Sequence, residues 1–116
     1  MQEFVLIFRN SVNPHANPSP EELQERMQWL EQIVARQQLV DKGNALSVGT
    51  AKTVKPGNVV TDGPFTEIRE FISGYVIIKA ATIDEAVEWA QANPSLKAGG
   101  TIEVRALLKP EDKSTY

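Results

Sequence analysis

The chain has 116 residues, a net charge of -3 with both signs interspersed, 41% apolar and 23% charged residues, and no cysteine. That is the composition of one globular domain with a single core. It excludes the basic stripe needed to neutralise phosphates, and so direct nucleic-acid binding; it also excludes disulfides, a thiol nucleophile and a zinc-thiolate site.

The N-terminal stretch MQEFVLIFRN lacks a signal peptide's basic region, and no apolar run approaches a membrane span. A cytoplasmic protein with no membrane association is expected. Within that stretch, Phe4, Leu6 and Phe8 alternate with Val5, Ile7 and Arg9, which predicts a first strand. The loop NSVNPHANPSP follows and holds His15, the only histidine. Its unperturbed pKa lies near neutrality, so it is a candidate acid or base if the loop reaches a cleft.

Ser19-Pro20-Glu21-Glu22 supplies an N-cap, a proline in the first helical turn and a capping-box glutamate. A helix is predicted from here to about residue 38, with Leu23, Met27, Leu30, Ile33 and Val34 as its apolar face. Trp29 falls off that stripe, at a boundary or in a contact between copies.

Residues 45–60, ALSVGTAKTVKPGNVV, carry short alternating runs around Pro56-Gly57-Asn58 and predict a hairpin arm. The stretch VVTDGPFTEIRE comes next. Asp62 before Gly63 either caps a turn by accepting nearby backbone N–H groups or serves a site. Glu67 and Glu70 would stand side by side only in a helical turn, and a cation site would need more ligands than they offer.

FISGYVIIKAAT predicts the longest strand, with Val76 and Ile78 on one face and Tyr75, Ile77 and Lys79 on the other. Thr82-Ile83-Asp84-Glu85 is a second capping box, opening a helix that places Ala86, Trp89 and Ala90 together and stops at Asn93-Pro94. Gly99-Gly100 leads to a last strand, TIEVRALLK.

The order β, α, β, β, α, β predicts an α+β, ferredoxin-like fold decorated by the hairpin arm. One domain spans residues 1–108, and 109–116 form a short tail. Both helices cover one sheet face, so Phe4, Leu6, Phe8, Val76, Ile78, Ile102 and Val104 are the predicted core. The opposite face carries Val5, Ile7, Tyr75, Ile77 and Leu107 among Arg9, Lys79, Glu103 and Arg105, which is too apolar to leave wet. Packing against the same face of a second copy, as a dimeric α+β barrel, is the expected solution.

Asp62-Gly63-Pro64-Phe65, Glu67 with Glu70, Gly74-Tyr75, Asp84-Glu85-Ala86 and Gly100 before Glu103-Val104-Arg105 together resemble the signature of the YCII-related superfamily, in its DGPF-domain branch. SPEEL from Ser19 and LVDKGNAL from Leu39 fit as well, so the resemblance spans essentially the whole chain. It implies a ferredoxin-like fold and a homodimer. It also implies a bacterial-type protein, and, since that branch is often encoded beside sigma factors of the extracytoplasmic-function type, a regulatory partnership with one.

The YCII branch has a histidine and an aspartate in a cleft, from which hydrolase-like chemistry has been inferred. By alignment those positions are Arg26 and Asn93 here, and neither side chain can do acid/base work near neutrality. The dyad is not carried over.

Three readings follow. Arg9, Asp62, Tyr75 and Arg105 line an inter-subunit cleft that binds a small anion, since strand parity puts Arg9, Tyr75 and Arg105 on the open face; the competing account pairs Glu103 with the arginines structurally. Alternatively, Asp62 acts with His15 or Glu67 as an acid/base pair. The third is the sigma-factor partnership. No phosphate loop, dinucleotide fingerprint, or haem or flavin signature is present, so no cofactor and no metal are expected.

Overall fold

A computed structural model describes residues 1–10, 19–47, 49–63 and 71–109. In chain order the elements are β1 (Gln2–Asn10), α1 (Pro20–Ala35), β2 (Leu39–Asp41), β3 (Lys52–Lys55), β4 (Val59–Asp62), β5 (Phe71–Ala80), α2 (Ile83–Gln91), a 3-10 helix (Pro94–Ala98) and β6 (Thr101–Ala106). β2, β5, β1 and β6 form a four-stranded sheet in that spatial order, with every neighbouring pair antiparallel. A mixed α+β chain with its first strand between its last two, and helices joining them, is compatible with a ferredoxin-like fold.

The predicted caps form. Ser19 Oγ accepts from the Glu22 N–H at 3.2 Å, and Thr82 Oγ1 accepts from the Glu85 N–H at 3.2 Å. α1 ends earlier than expected, with Gln37 at φ 58°. There the Gln37 N–H donates to the Val34 carbonyl and the Gln38 N–H to the Ile33 carbonyl, a Schellman closure made without glycine.

The core lies between the sheet and the two helices. Phe4, Leu6, Val76 and Ile78 are buried, and Phe8, Ile102 and Val104 pack against them, as alternation requires. The apolar face expected of α1 holds at Ile33 and Leu30, which pack in the core, and is displaced elsewhere. Leu23, Met27 and Val34 are 47%, 62% and 54% exposed, whereas Trp29 and Ile33 are buried. The reason is polar as well as steric: the Trp29 indole N–H donates to the Trp89 carbonyl at 2.9 Å and its ring meets Phe8 edge-on at 6.2 Å. The helix therefore turns its tryptophan inward, where both the ring and its donor find partners.

The second strand is short. It is Leu39–Asp41, directly after α1, prolonged by a bridge from Ala45 to Gly74. The arm is the hairpin β3–β4 beyond it, turning at Pro56-Gly57-Asn58 as its sequence predicts. It forms a separate two-stranded sheet. No helix among the described residues is long and apolar enough to cross a membrane.

Candidate functional site on the open sheet face

The face of the main sheet away from the helices is set by register. Val5 lies opposite Ile77 on one side and Arg105 on the other, and Ile7 lies opposite Tyr75 and Glu103. Directly opposed residues in antiparallel strands share a face, so Val5, Ile7, Tyr75, Ile77, Glu103 and Arg105 form one surface. Val5, Ile7, Tyr75 and Ile77 are each half-buried there.

An irregularity extends this surface. Pairing shifts between Phe8 and Arg9, so that Phe8 faces Gly74 but Arg9 faces Ile72. The extra residue on β5 is Ser73, the mark of a β-bulge. Its hydroxyl accepts from Asn10 Nδ2 at 2.7 Å and donates to the Phe8 carbonyl at 3.3 Å, which fixes the bulge from both strands. Ile72 thereby joins Arg9 on the open face, a placement that uninterrupted alternation would reverse.

Arg9 Nη2 donates to Glu103 Oε1 at 3.2 Å, and Arg105 Nη1 stands 3.8 Å from Glu103 Oε2. One carboxylate thus lies between two guanidinium groups. The Arg9 side chain is 26% exposed and that of Arg105 68%, so Arg105 is the freer of the two. Tyr75 is held by its surroundings: its hydroxyl accepts from Asn44 Nδ2 at 3.3 Å, and its backbone N–H donates to the Asn44 carbonyl at 3.3 Å.

Gly43 makes the Tyr75 arrangement feasible. It has φ 68°, and a Cβ built there would stand 1.7 Å from the Tyr75 carbonyl oxygen. Asp41 Oδ1 accepts from the Gly43 N–H at 2.8 Å, closing the turn that brings Asn44 to Tyr75.

Asp62 is not on this surface within the chain. It ends β4 on the arm, where its carboxylate accepts from Lys52 Nζ at 2.6 Å and its side chain is 91% exposed. His15 and Glu67 lie outside the described residues, as does Glu70. Among the described residues no three acidic or histidine side chains are grouped so as to hold a metal ion. Arg9, Tyr75 and Arg105 are therefore brought to one face, and Asp62 is carried away on a different sheet.

Arg26 and Asn93 are well separated in role. Asn93 is buried, and its Oδ1 accepts from the Ser95 N–H at 2.8 Å to cap the 3-10 helix. Arg26 borders a shallow groove of about 200 Å³ between α1 and that helix, with Glu22, Ser95 and Lys97. Nothing in the sequence pattern announced this groove, because the 3-10 helix that walls it has no periodic signature. Arginine, glutamate and lysine together make it a solvated polar crease.

The pattern of the YCII-related domain family matches residues 12–110. The chain is also 45% identical over 58 residues to an uncharacterized protein of Rhizobium meliloti (strain 1021), a match covering 45% of this chain and 44% of that protein. The chain thus matches less than half the length of this relative.

Proposed function

Because the chain belongs to the YCII-related domain family, we propose that it is a DGPF-branch homodimer which packs its open sheet faces together and binds a small anion between them, through Arg9, Arg105 and Tyr75. The reading is carried by the Arg9–Glu103–Arg105 cluster. Two guanidinium groups share one carboxylate, so that cluster itself carries one positive charge, beside Val5, Ile7 and Ile77.

A half-apolar antiparallel sheet is commonly covered by another layer, and the two helices cover only the other face of this one. Covering it with a second copy would remove water from around the cluster. Charge interactions then strengthen, and an unmatched cation becomes costly to bury. A carboxylate or phosphate ligand offsets that cost, since a guanidinium presents paired N–H donors matching such groups. The acid/base reading gains no such support, because Asp62 forms a solvent-facing ion pair with Lys52.

The test is thermal denaturation of wild-type and Arg105→Gln protein at low ionic strength, with inorganic phosphate, sulfate and a panel of small mono- and dicarboxylates. A ligand at a hundred times its dissociation constant stabilises by about 2.7 kcal/mol, which shifts the midpoint of a domain this size by several degrees. The expected result is a shift for at least one anion in wild type and its loss in the variant. No shift in wild type, or an undiminished shift in Arg105→Gln, would overturn the proposal.

A further inference from the structure

The arm has its polarity reversed. In register, Lys52 faces Asp62, Thr53 faces Thr61, Val54 faces Val60 and Lys55 faces Val59, so Lys52, Asp62, Val54 and Val60 occupy one face and the two threonines the other. The threonines are half-buried, while Val54 and Val60 are 69% and 57% exposed. Thr53 Oγ1 donates to the Gly63 carbonyl at 2.9 Å and the Gly63 N–H donates to the Ala51 carbonyl at 2.7 Å, so the polar side is satisfied within the arm itself. A hairpin that served only its own chain would turn its valine pair inward.

An isolated two-stranded hairpin is also marginal in water and needs an apolar face packed on something else. Among the described residues β3 and β4 pair only with each other, and their valine face stays exposed. Among the described residues no second layer covers the half-buried sheet face centred on Val5, Ile7 and Ile77 either. Two unmet apolar surfaces of β-branched side chains on one chain are mutually satisfied, twice over, by a two-fold pairing of identical copies.

We infer that the β3–β4 arm reaches over to a second copy and lays its Val54–Val60 face against the margin of that copy's open sheet face. This rests on the homodimer reading and adds what the arm does in it. The arm's valine face also carries Asp62 and Lys52. An exchanged arm would therefore add a carboxylate and an ammonium group to those already at the neighbouring copy's anion site. Asp62 and Lys52 then select among anions, the first repelling bulky polyanions and the second holding a further acceptor.

The test has two arms, and the lack of native cysteine makes both clean. Sedimentation equilibrium on wild-type and Val54→Ser/Val60→Ser protein separates the two ideas, since these side chains are exposed in the chain and their replacement leaves its core intact. The expected result is a wild-type dimer whose dissociation constant rises at least about tenfold in the double variant. A monomeric wild type overturns both the dimer and the arm exchange, whereas a wild-type dimer with an equally tight variant overturns the arm exchange alone.

The second arm mixes Val60→Cys copies with copies carrying Ile72→Cys, at the margin of the open face beside Arg9, and a tag of different size, under mild oxidation. A mixed disulfide between the two chains is expected. Recovery of Val60→Cys self-pairs alone would mean that arms meet arms, and no cross-link through Val60→Cys would mean that the arm lies elsewhere; either result overturns the inference.

Discussion

Trp29 on α1 donates its indole N–H to the backbone carbonyl of Trp89 on α2, at 2.9 Å, so one tryptophan ties the two helices together across the top of the core. Trp89 completes the link, donating its own indole N–H to Gln38 Oε1 at 3.2 Å while Arg36 lies over its ring at 5.5 Å. Trp29→Phe should therefore cost more than lost area. It keeps a ring against Phe8 but removes one of the donors to the Trp89 carbonyl, leaving the Ala92 N–H, and a loss of roughly 0.5–1.5 kcal/mol from that bond alone is expected in denaturant unfolding. Met27→Ser, on the exposed side of the same helix, should change stability by no more than about 0.5 kcal/mol. Equal losses for the two variants would refute the inward placement of Trp29.

Gln38 is buried and fully used: its Nε2 donates to Glu85 Oε1 at 2.5 Å and to the Lys79 carbonyl at 3.0 Å, and its Oε1 accepts from Trp89. Gln38→Leu removes all three bonds from partners that are only partly reached by water. A destabilisation of roughly 2–4 kcal/mol is expected by chemical denaturation, most of it from the stranded groups. A near-neutral result would mean that water replaces the amide.

At the end of α1, Gln37 adopts φ 58°, where a side chain is disfavoured and glycine is not. Gln37→Gly should stabilise the protein by about 1 kcal/mol. The check is an increased denaturation midpoint with an unchanged slope; a decrease would show that the Gln37 side chain contributes something the backbone argument leaves out.

Gly43 lies against the Tyr75 carbonyl, and any Cβ there collides with backbone. Gly43→Ala should destabilise by roughly 2–3 kcal/mol and push the segment after β2 away from β5. The local consequence is separable from the global one: Tyr75 fluorescence and exchange of the Tyr75 amide, bonded to Asn44, should change under conditions where the core stays folded.

Glu103 holds both Arg9 and Arg105 on the open face. Partly exposed pairs of this kind contribute about 0–1 kcal/mol, so Glu103→Gln should leave stability almost unchanged. It should instead free the guanidinium groups and raise anion affinity about three- to tenfold by titration calorimetry, the opposite of the effect of Arg105→Gln. A weaker affinity in Glu103→Gln would indicate that the carboxylate orients the arginines more than it competes for them.

Both helix starts and the alternation of β1 and β5 were legible in the sequence because each is a local matter. Ser19 and Thr82 cap through side chains three residues from the N–H they accept, and strand parity puts Phe4 and Ile78 on one face and Val5 and Ile77 on the other whatever the register. Family membership, too, was readable, through the likeness of Asp62-Gly63-Pro64-Phe65 and its flanks to the signature of the YCII-related family. The apolar face of α1 was legible only at Leu30 and Ile33, since Leu23, Met27 and Val34 continue their stripe as well as Trp29 does. Only the indole's bond to Trp89, a contact between distant parts of the chain, chooses between them.

The candidate site divides in the same way. The sequence determined that Arg9, Tyr75, Glu103 and Arg105 can share a face, since period-two alternation is a property of each strand alone. The tertiary structure decided that Glu103 sits between the two arginines, because that depends on the β1–β6 register. It decided that the Ser73 bulge turns Ile72 toward Arg9, and that Asp62 leaves on an arm of its own with its valines facing outward. Those outcomes arise from pairing between segments far apart in the chain, and pairing energies depend on partners that no local pattern contains.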